Sequence, residues 1–212
     1  MKKLIIISII LIILLFGINI FFYSSLPDKI ITHWNSFGEP NGAMDKFWGL
    51  FLIPIITLGI FLLFCFIPKI DPLSRNIEKF HNFYESFILV MVIFFCYIDI
   101  LSLLYNLGYK FNLSLMMTPG VGILFIYLSF ILKNIKRNWF IGIRTPWTLS
   151  SEVVWDKTHK LGSKLFFISG IIIIIGMFFI KYLIWFILVP TILSALISII
   201  YSFIEFKKIE KK

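Results

Sequence analysis

Long uncharged stretches alternate with shorter polar ones along the chain, and their lengths predict where it crosses a membrane. A helix needs about 20 residues to span the roughly 30 Å hydrocarbon core of a bilayer. Four apolar stretches are close to that length: Leu4–Phe22, Phe47–Ile67, Ser86–Leu107 and Leu113–Leu132. Because lipid offers no hydrogen-bond partners to free backbone groups, each stretch is expected to be a helix.

The last apolar stretch, Leu165–Ile204, is too long for one span and is interrupted only by Lys181. As a single helix it would be about 60 Å long, twice the thickness of the hydrocarbon core. We therefore expect two helices that fold back at or near Lys181. The whole pattern predicts an all-α polytopic membrane protein with six transmembrane helices.

Composition agrees with this class. Hydrophobic residues make up 59% of the chain, whereas soluble domains are close to half apolar. The first apolar stretch is too long for the core of a signal peptide and no small-residue cleavage site follows it, so a retained helix is expected. Cys65 and Cys96 lie inside apolar stretches, without the spacing of a metal site and with no support for a disulfide.

Basic residues are distributed unevenly between the two sides of the predicted membrane. Of the 20 Lys and Arg residues, all but Lys29, Lys46, Lys110 and Lys181 fall on one side. Loops rich in Lys and Arg stay in the cytoplasm, so we expect a multi-pass protein of the cell membrane with both termini cytoplasmic. We divide the chain into 1–80, the first helix pair with an extracytoplasmic loop at 23–46, and 81–212, four helices with a cytoplasmic segment at 133–164.

The extracytoplasmic loop, residues 23–46, is predicted to be short and folded. Pro27 and Pro40 restrict the backbone, and Gly38 and Gly42 permit tight turns. The stretch 30–34 is short and rich in residues that favour strands. Such a loop is either a structured connector or a docking surface for something outside the cell.

The cytoplasmic segment, residues 133–164, is predicted to contain an amphipathic helix lying at the membrane surface. The residue before Pro146 is expected to be extended, and Thr148 or Ser150 is a candidate N-cap. Glu152 then falls in the first turn, where a negative charge suits the helix dipole. We place the end of this helix near Gly162.

On that helix Glu152, Asp156 and His159 fall on one polar stripe. Two carboxylates and an imidazole on one face could bind a divalent metal. The alternative is a solvated face in which His159 and Lys160 partner the acids. The His-Glu-x-x-His pattern of hydrolytic metal helices is absent. We favour the solvated face and predict no metal site and no catalytic residue, which leaves a membrane enzyme as the weakest hypothesis.

Asp99 is the one charged residue inside the third predicted span. Carboxylates in membranes are costly and are candidates for function. Either Asp99 is a satisfied side chain, with hydrogen-bond partners expected among Asn19, Thr57, Ser102 and Tyr127, or it is a proton or ligand site.

Proline interrupts several of the predicted helices. Pro54, Pro119 and Pro190 each remove a backbone donor and are expected to kink their helices. Residues 119–122, with the sequence Pro-Gly-Val-Gly, are the best candidate for a bend or a close helix contact.

Two motifs together resemble one known family. The long string Arg144–Gly162 is similar to the signature of the SdpI-like immunity protein family, and the loop at 26–46 resembles the N-terminal domain of unknown function in that family. The loop residues that carry the resemblance are Pro27, His33, Trp34, Asn35, Gly38, Pro40, Gly42 and Lys46. The signature residues we single out are Arg144, Thr145, Pro146, Trp147, Ser151, Glu152, Trp155 and His159.

The resemblance implies a bacterial cytoplasmic-membrane protein that is not an enzyme and uses no cofactor. The family's namesake protects the producing cell from a secreted peptide toxin and holds a transcriptional repressor at the membrane. Expected partners are therefore membrane lipid, a peptide toxin outside and a repressor protein inside, without direct contact to nucleic acid. The alternative hypothesis is a small proton- or ion-coupled transporter that uses Asp99.

Overall fold

A computed structural model of the chain describes residues 2–210, so Lys211 and Lys212, which entered the charge count, lie outside the described residues. The long helices are α1 (Lys2–Phe22), α2 (Lys46–Ile70), α4 (His81–Asn106), α5 (Leu113–Asn134), α7 (Glu152–Ile175) and α8 (Leu183–Glu210). Short elements are β1 (Lys29–Trp34), β2 (Pro40–Asp45), α3 (Ser74–Glu78) and α6 (Pro146–Ser150). Within residues 2–210, six helices are long and apolar enough to cross a membrane, which confirms the predicted class.

The connections between the long helices cluster at two ends of the bundle. At one end, called the hairpin end, β1 and β2 form an antiparallel pair beside the loop between α4 and α5. At the other, called the signature end, the α3 connection meets the segment 135–151 that links α5 to α7. Both ends are held by hydrogen bonds between connections that are far apart in sequence.

Small residues lie in the most extensive helix contact, which is between α5 and α7. Gly122 on α5 faces Gly170 on α7, so that a Cβ on Gly170 would lie 2.6 Å from the Gly122 carbonyl oxygen. Helices in membranes associate through such small residues because their backbones can then approach closely. The predicted close contact at residues 119–122 is confirmed.

The last apolar stretch is two helices, as predicted. Helix α7 ends at Ile175, two 3-10 turns follow at Gly176–Phe178 and Ile180–Tyr182, and α8 begins at Leu183. Gly176 is needed in this turn because the side chain of Phe186 occupies the space where a Cβ would stand.

One predicted boundary is wrong. The helix expected to lie at the membrane surface and to end near Gly162 continues without a break to Ile175 as α7. Gly162 is not a helix terminus but a buried contact, since Ile143 fills the position of its missing side chain. The signature therefore begins a spanning helix instead of forming a separate one.

Candidate functional site

At the hairpin end, the side chain of Asn106 joins the backbone of β1 to α4. Asn106 accepts a hydrogen bond from the backbone N–H of Ile31 (2.8 Å) and donates one to the carbonyl of Ile31 (2.9 Å). Its amide thus replaces a neighbouring strand along that edge of the hairpin. The predicted strand-forming stretch is confirmed as β1. Asn106, which binds this strand, was not singled out in the sequence analysis.

The turn of the hairpin is tied to the start of α5. Gly38 has φ +80°, a conformation that favours glycine. Asn35 accepts from the backbone N–H groups of Phe37 (2.9 Å) and Glu39 (3.0 Å). Asn112 donates to the Phe37 carbonyl (2.6 Å). The turn is therefore ordered by its own side chains and by the neighbouring loop.

The predicted loop residues are brought onto this small hairpin. His33 Nδ1 lies 2.5 Å from Asn41 Oδ1 on the exposed surface. Trp34 packs edge-on against Tyr105, with ring centroids 5.3 Å apart. Lys46 donates to the Leu26 carbonyl (2.8 Å) and closes the base of the hairpin. Pro40 and Gly42 lie in β2, and Pro27 lies two residues before β1; both prolines are exposed.

A cavity of about 460 Å³ lies between the hairpin and the helices below it. Its walls come from Thr32, Trp34 and Met44 of the hairpin together with apolar residues such as Leu52 and Met117 of α2 and α5. Within residues 2–210 the indole N–H of Trp34 is buried without a hydrogen-bond partner. The walls of the cavity are mainly apolar, so it suits an apolar group.

At the signature end, Asn138 organises the chain between α5 and α6. Its Oδ1 accepts from the N–H groups of Phe140 (2.9 Å) and Ile141 (2.7 Å), and its Nδ2 donates to the Ile141 carbonyl (3.0 Å). The buried Asp71 carboxylate accepts from the N–H of Trp139 (3.0 Å), which joins this loop to the connection after α2.

The residues that cap the signature helices differ from those predicted. Thr145 caps α6 by accepting from the Thr148 N–H (3.1 Å), and the Thr148 hydroxyl accepts from the Thr145 N–H (2.9 Å). Ser151 caps α7 through the N–H of Val154. Thr148 is thus a partner in a capping box instead of the cap, and the N-cap of α7 is one residue beyond Ser150. Thr145 also bonds to Ser202 on α8 (3.0 Å).

Trp155 and His159 form the centre of the signature end. Both are buried, and their rings stack with centroids 4.0 Å apart. The Trp155 indole donates to the Ile135 carbonyl (3.1 Å). His159 Nε2 accepts from the N–H of Ile143 (2.9 Å), while Nδ1 contacts the Trp155 carbonyl (2.8 Å). These bonds require the neutral imidazole with its proton on Nδ1.

Gly142 completes this centre because no other residue fits there. It has φ +115°, and a Cβ on it would stand 2.5 Å from His159 Nε2. The backbone thus passes directly over the imidazole edge.

The structure keeps only part of the predicted polar stripe of α7 together. Glu152, which lies 3.6 Å from the Arg137 guanidinium, and Asp156 are both exposed. His159 is instead buried, and its Nε2 accepts from the N–H of Ile143. The prediction erred because the first turns of α7 pack against the 135–144 segment, which sequence periodicity alone does not reveal.

The remaining signature residues line the outside of this centre. Arg144 donates to the Trp139 carbonyl (2.7 Å), and the Trp147 ring packs on Phe203 of α8 with centroids 5.1 Å apart. Pro146 is the first residue of α6, where its fixed φ and missing N–H are well tolerated.

Sequence reasoning missed Glu205, a buried carboxylate on α8. It accepts from Lys157 (2.6 Å) and from Lys208 (2.6 Å), and so links α8 to the signature helix. The spacing of Glu205 and Lys208 along a helix was the one available signal. Its bond to Lys157 joins positions 48 residues apart and has no local pattern.

Asp99 lies on α4, where that helix packs against α1. Its Oδ2 accepts from Asn19 Nδ2 (2.6 Å), so one of the four expected partners is confirmed. Thr57 and Tyr127 bond elsewhere, to Ile53 and Ser86. Asp99 is only 3% exposed. This geometry is that of a hydrogen bond that holds two helices together in lipid.

Comparison with known proteins matches both motif regions. Residues 134–202 match the SdpI/YfhL protein family, and residues 10–58 match a domain of unknown function, DUF1648. The chain is 33% identical over 205 residues to "Immunity protein SdpI" of Bacillus subtilis (strain 168), covering 96% of each chain. No solved structure matches it. The identity extends over both ends of the bundle, and the chain belongs to the SdpI/YfhL family.

Proposed function

We propose that this chain is an immunity protein that protects its cell from a secreted peptide toxin and acts by binding instead of catalysis. The observation that carries the proposal is the similarity along 96% of the chain to a relative named as an immunity protein. The similarity includes both the hairpin and the signature segment.

The proposed orientation follows from the charges. Most Lys and Arg residues of the connections lie at the signature end, and such residues stay on the cytoplasmic side. We therefore place the hairpin end outside the cell, where a secreted peptide arrives, and both termini inside.

Within residues 2–210 the outer edge of β2 is paired with no other strand, and this free edge supports toxin binding by the hairpin. Ile31 directs its backbone groups to Asn106, so Ala43, which lies opposite Ile31, also points its N–H and C=O away from β1. Strand β2 is largely exposed. An extended peptide can pair with this edge and place an apolar side chain in the adjacent cavity.

Filling that cavity should abolish protection. Leu52 lines it from α2, and Leu52→Trp should leave little room for a toxin side chain. We expect a sensitive strain that produces this protein to survive the purified peptide, and the same strain with Leu52→Trp to be killed. Survival is scored at equal amounts of membrane-inserted protein.

The matched control is Leu63→Trp on the same helix, because Leu63 is 51% exposed on the outer surface of α2. This variant should protect as well as the unchanged protein. Killing that is equal with and without the unchanged protein would refute the immunity proposal itself. Full protection by Leu52→Trp would refute only the role of the cavity.

As the second part of the proposal, the signature end holds a transcriptional repressor at the membrane. Trp139 and Val153 are about half exposed there, beside the rigid centre formed by Trp155 and His159. Exposed aromatic side chains on a rigid support are common binding determinants.

A fluorescent fusion of a repressor encoded beside this gene should be found at the membrane, and Trp139→Ala should release it to the cytosol. A fusion that stays cytosolic with the unchanged protein would argue against this part.

The transporter hypothesis has weaker support. Asp99 is buried and bonded to Asn19 in a helix contact, an arrangement typical of a structural clamp.

A further inference from the structure

A second cavity, of about 220 Å³, lies at the signature end and is lined mainly by polar atoms. Lys79 follows α3, Lys136 and Arg137 follow α5, and Glu152 and Asp156 come from the first turns of α7. Because these elements join membrane-spanning helices, the cavity opens at the depth of lipid headgroups. Basic cavities in this position commonly bind headgroups.

The three cations of the cavity have unused hydrogen-bond donors. Arg137 donates through Nη1 to the Leu149 carbonyl (3.1 Å) and lies 3.6 Å from Glu152, but its buried Nε–H has no partner among the residues that the structure describes. Lys79 donates to Asn76 Oδ1 (3.1 Å). Within residues 2–210, neither Lys79 nor Lys136 forms an ion pair. Such a set is suited to the oxygens of a phosphate.

The cavity also carries an unused negative charge. Asp156 lies one helical turn from Glu152, on the same face of α7. Glu152 is paired with Arg137, whereas Asp156 forms no ion pair within the described part of the chain. An anion without a positive charge would bind the cations but would be repelled by Asp156. A ligand with a phosphate and an ammonium group can pair its phosphate with the cations and its ammonium with Asp156.

We propose that this cavity binds a phosphoethanolamine group, with the phosphate on Lys79, Lys136 and Arg137 and the ammonium on Asp156. Its source is a phospholipid with an ethanolamine headgroup, which reaches the cavity from the surrounding membrane. A bound headgroup would link α3, the 136–137 segment and α7 at one point. This site is separate from the hairpin and does not depend on the toxin-binding proposal.

The test is lipid retention by the purified full chain, measured by native mass spectrometry after exchange into phosphatidylcholine nanodiscs that contain phosphatidylethanolamine or phosphatidylglycerol. We expect the ethanolamine lipid to be retained in preference to both others. Lys136→Gln should lower its retention roughly tenfold, since one charged hydrogen bond is worth about 1.5 kcal/mol. Asp156→Asn should remove the preference over phosphatidylglycerol.

Matched controls are Lys133→Gln and Glu78→Gln, which change exposed charges at the same end without lining this cavity. Both should retain the ethanolamine lipid as the unchanged chain does. Equal retention of all three lipids, or retention unaffected by both cavity variants, would overturn the proposal. So would displacement of the lipid by inorganic phosphate as effectively as by glycerophosphoethanolamine, because the ligand would then be free phosphate.

Discussion

Trp155→Ala should destabilise the protein by about 3–5 kcal/mol, the usual effect of removing a large aromatic side chain from a core. The Trp155 side chain is fully buried, stacks on His159 and donates to the Ile135 carbonyl. Its loss leaves a cavity at the junction of α5, α7 and the loop between them, and it removes the partner of a buried carbonyl. Reversible denaturant unfolding in detergent micelles measures the change.

Two variants separate the causes of this loss. Trp155→Phe keeps most of the volume but removes the indole donor, so a loss of about 1 kcal/mol is expected. Trp185→Ala removes the same side chain from the outer face of α8, where Trp185 is 60% exposed. That control should be close to neutral. If Trp155→Ala unfolds at the same denaturant concentration as Trp185→Ala, Trp155 does not hold the signature end together.

The spans could be predicted from the sequence because their signal is long and local. Residues 47–67 and 113–132 lack charges over the thickness of a bilayer, and lipid permits only helices there. That residues 23–46 form a short folded loop was also predictable, because proline and glycine restrict or permit specific backbone conformations, as Gly38 shows. The second strand of the hairpin, β2, was not predicted.

The details of the candidate sites could not be predicted, because they depend on contacts between distant residues. Gly162 looks like a helix terminus in isolation, but Ile143 fills the space beside it and α7 continues. His159 belongs to a polar stripe by periodicity, but the N–H of Ile143 makes it a buried acceptor. Asn106, which binds the hairpin to α4, forms its hydrogen bonds with Ile31, 75 positions away.

Gly170→Ala should destabilise the protein by about 1–3 kcal/mol, the usual effect of overfilling a close contact. The new Cβ would stand 2.6 Å from the Gly122 carbonyl oxygen and 2.9 Å from the Ile126 backbone nitrogen. Neither backbone atom can turn aside as a flexible side chain would. Helices α5 and α7 must therefore move apart, although alanine favours the helix itself by about 1 kcal/mol.

Gly17→Ala is the matched control, because nothing lies within 4 Å of the position that its Cβ would occupy. Only the helix preference of alanine acts there, so Gly17→Ala should be neutral or stabilising by up to about 1 kcal/mol. The two substitutions are chemically identical, so their difference in denaturant midpoint isolates the contact between α5 and α7. Equal midpoints would show that this crossing tolerates a methyl group. A lowered midpoint for Gly170→Ala alone would show that the fold depends on the backbone contact between α5 and α7. The same helix α7 includes the end of the signature segment.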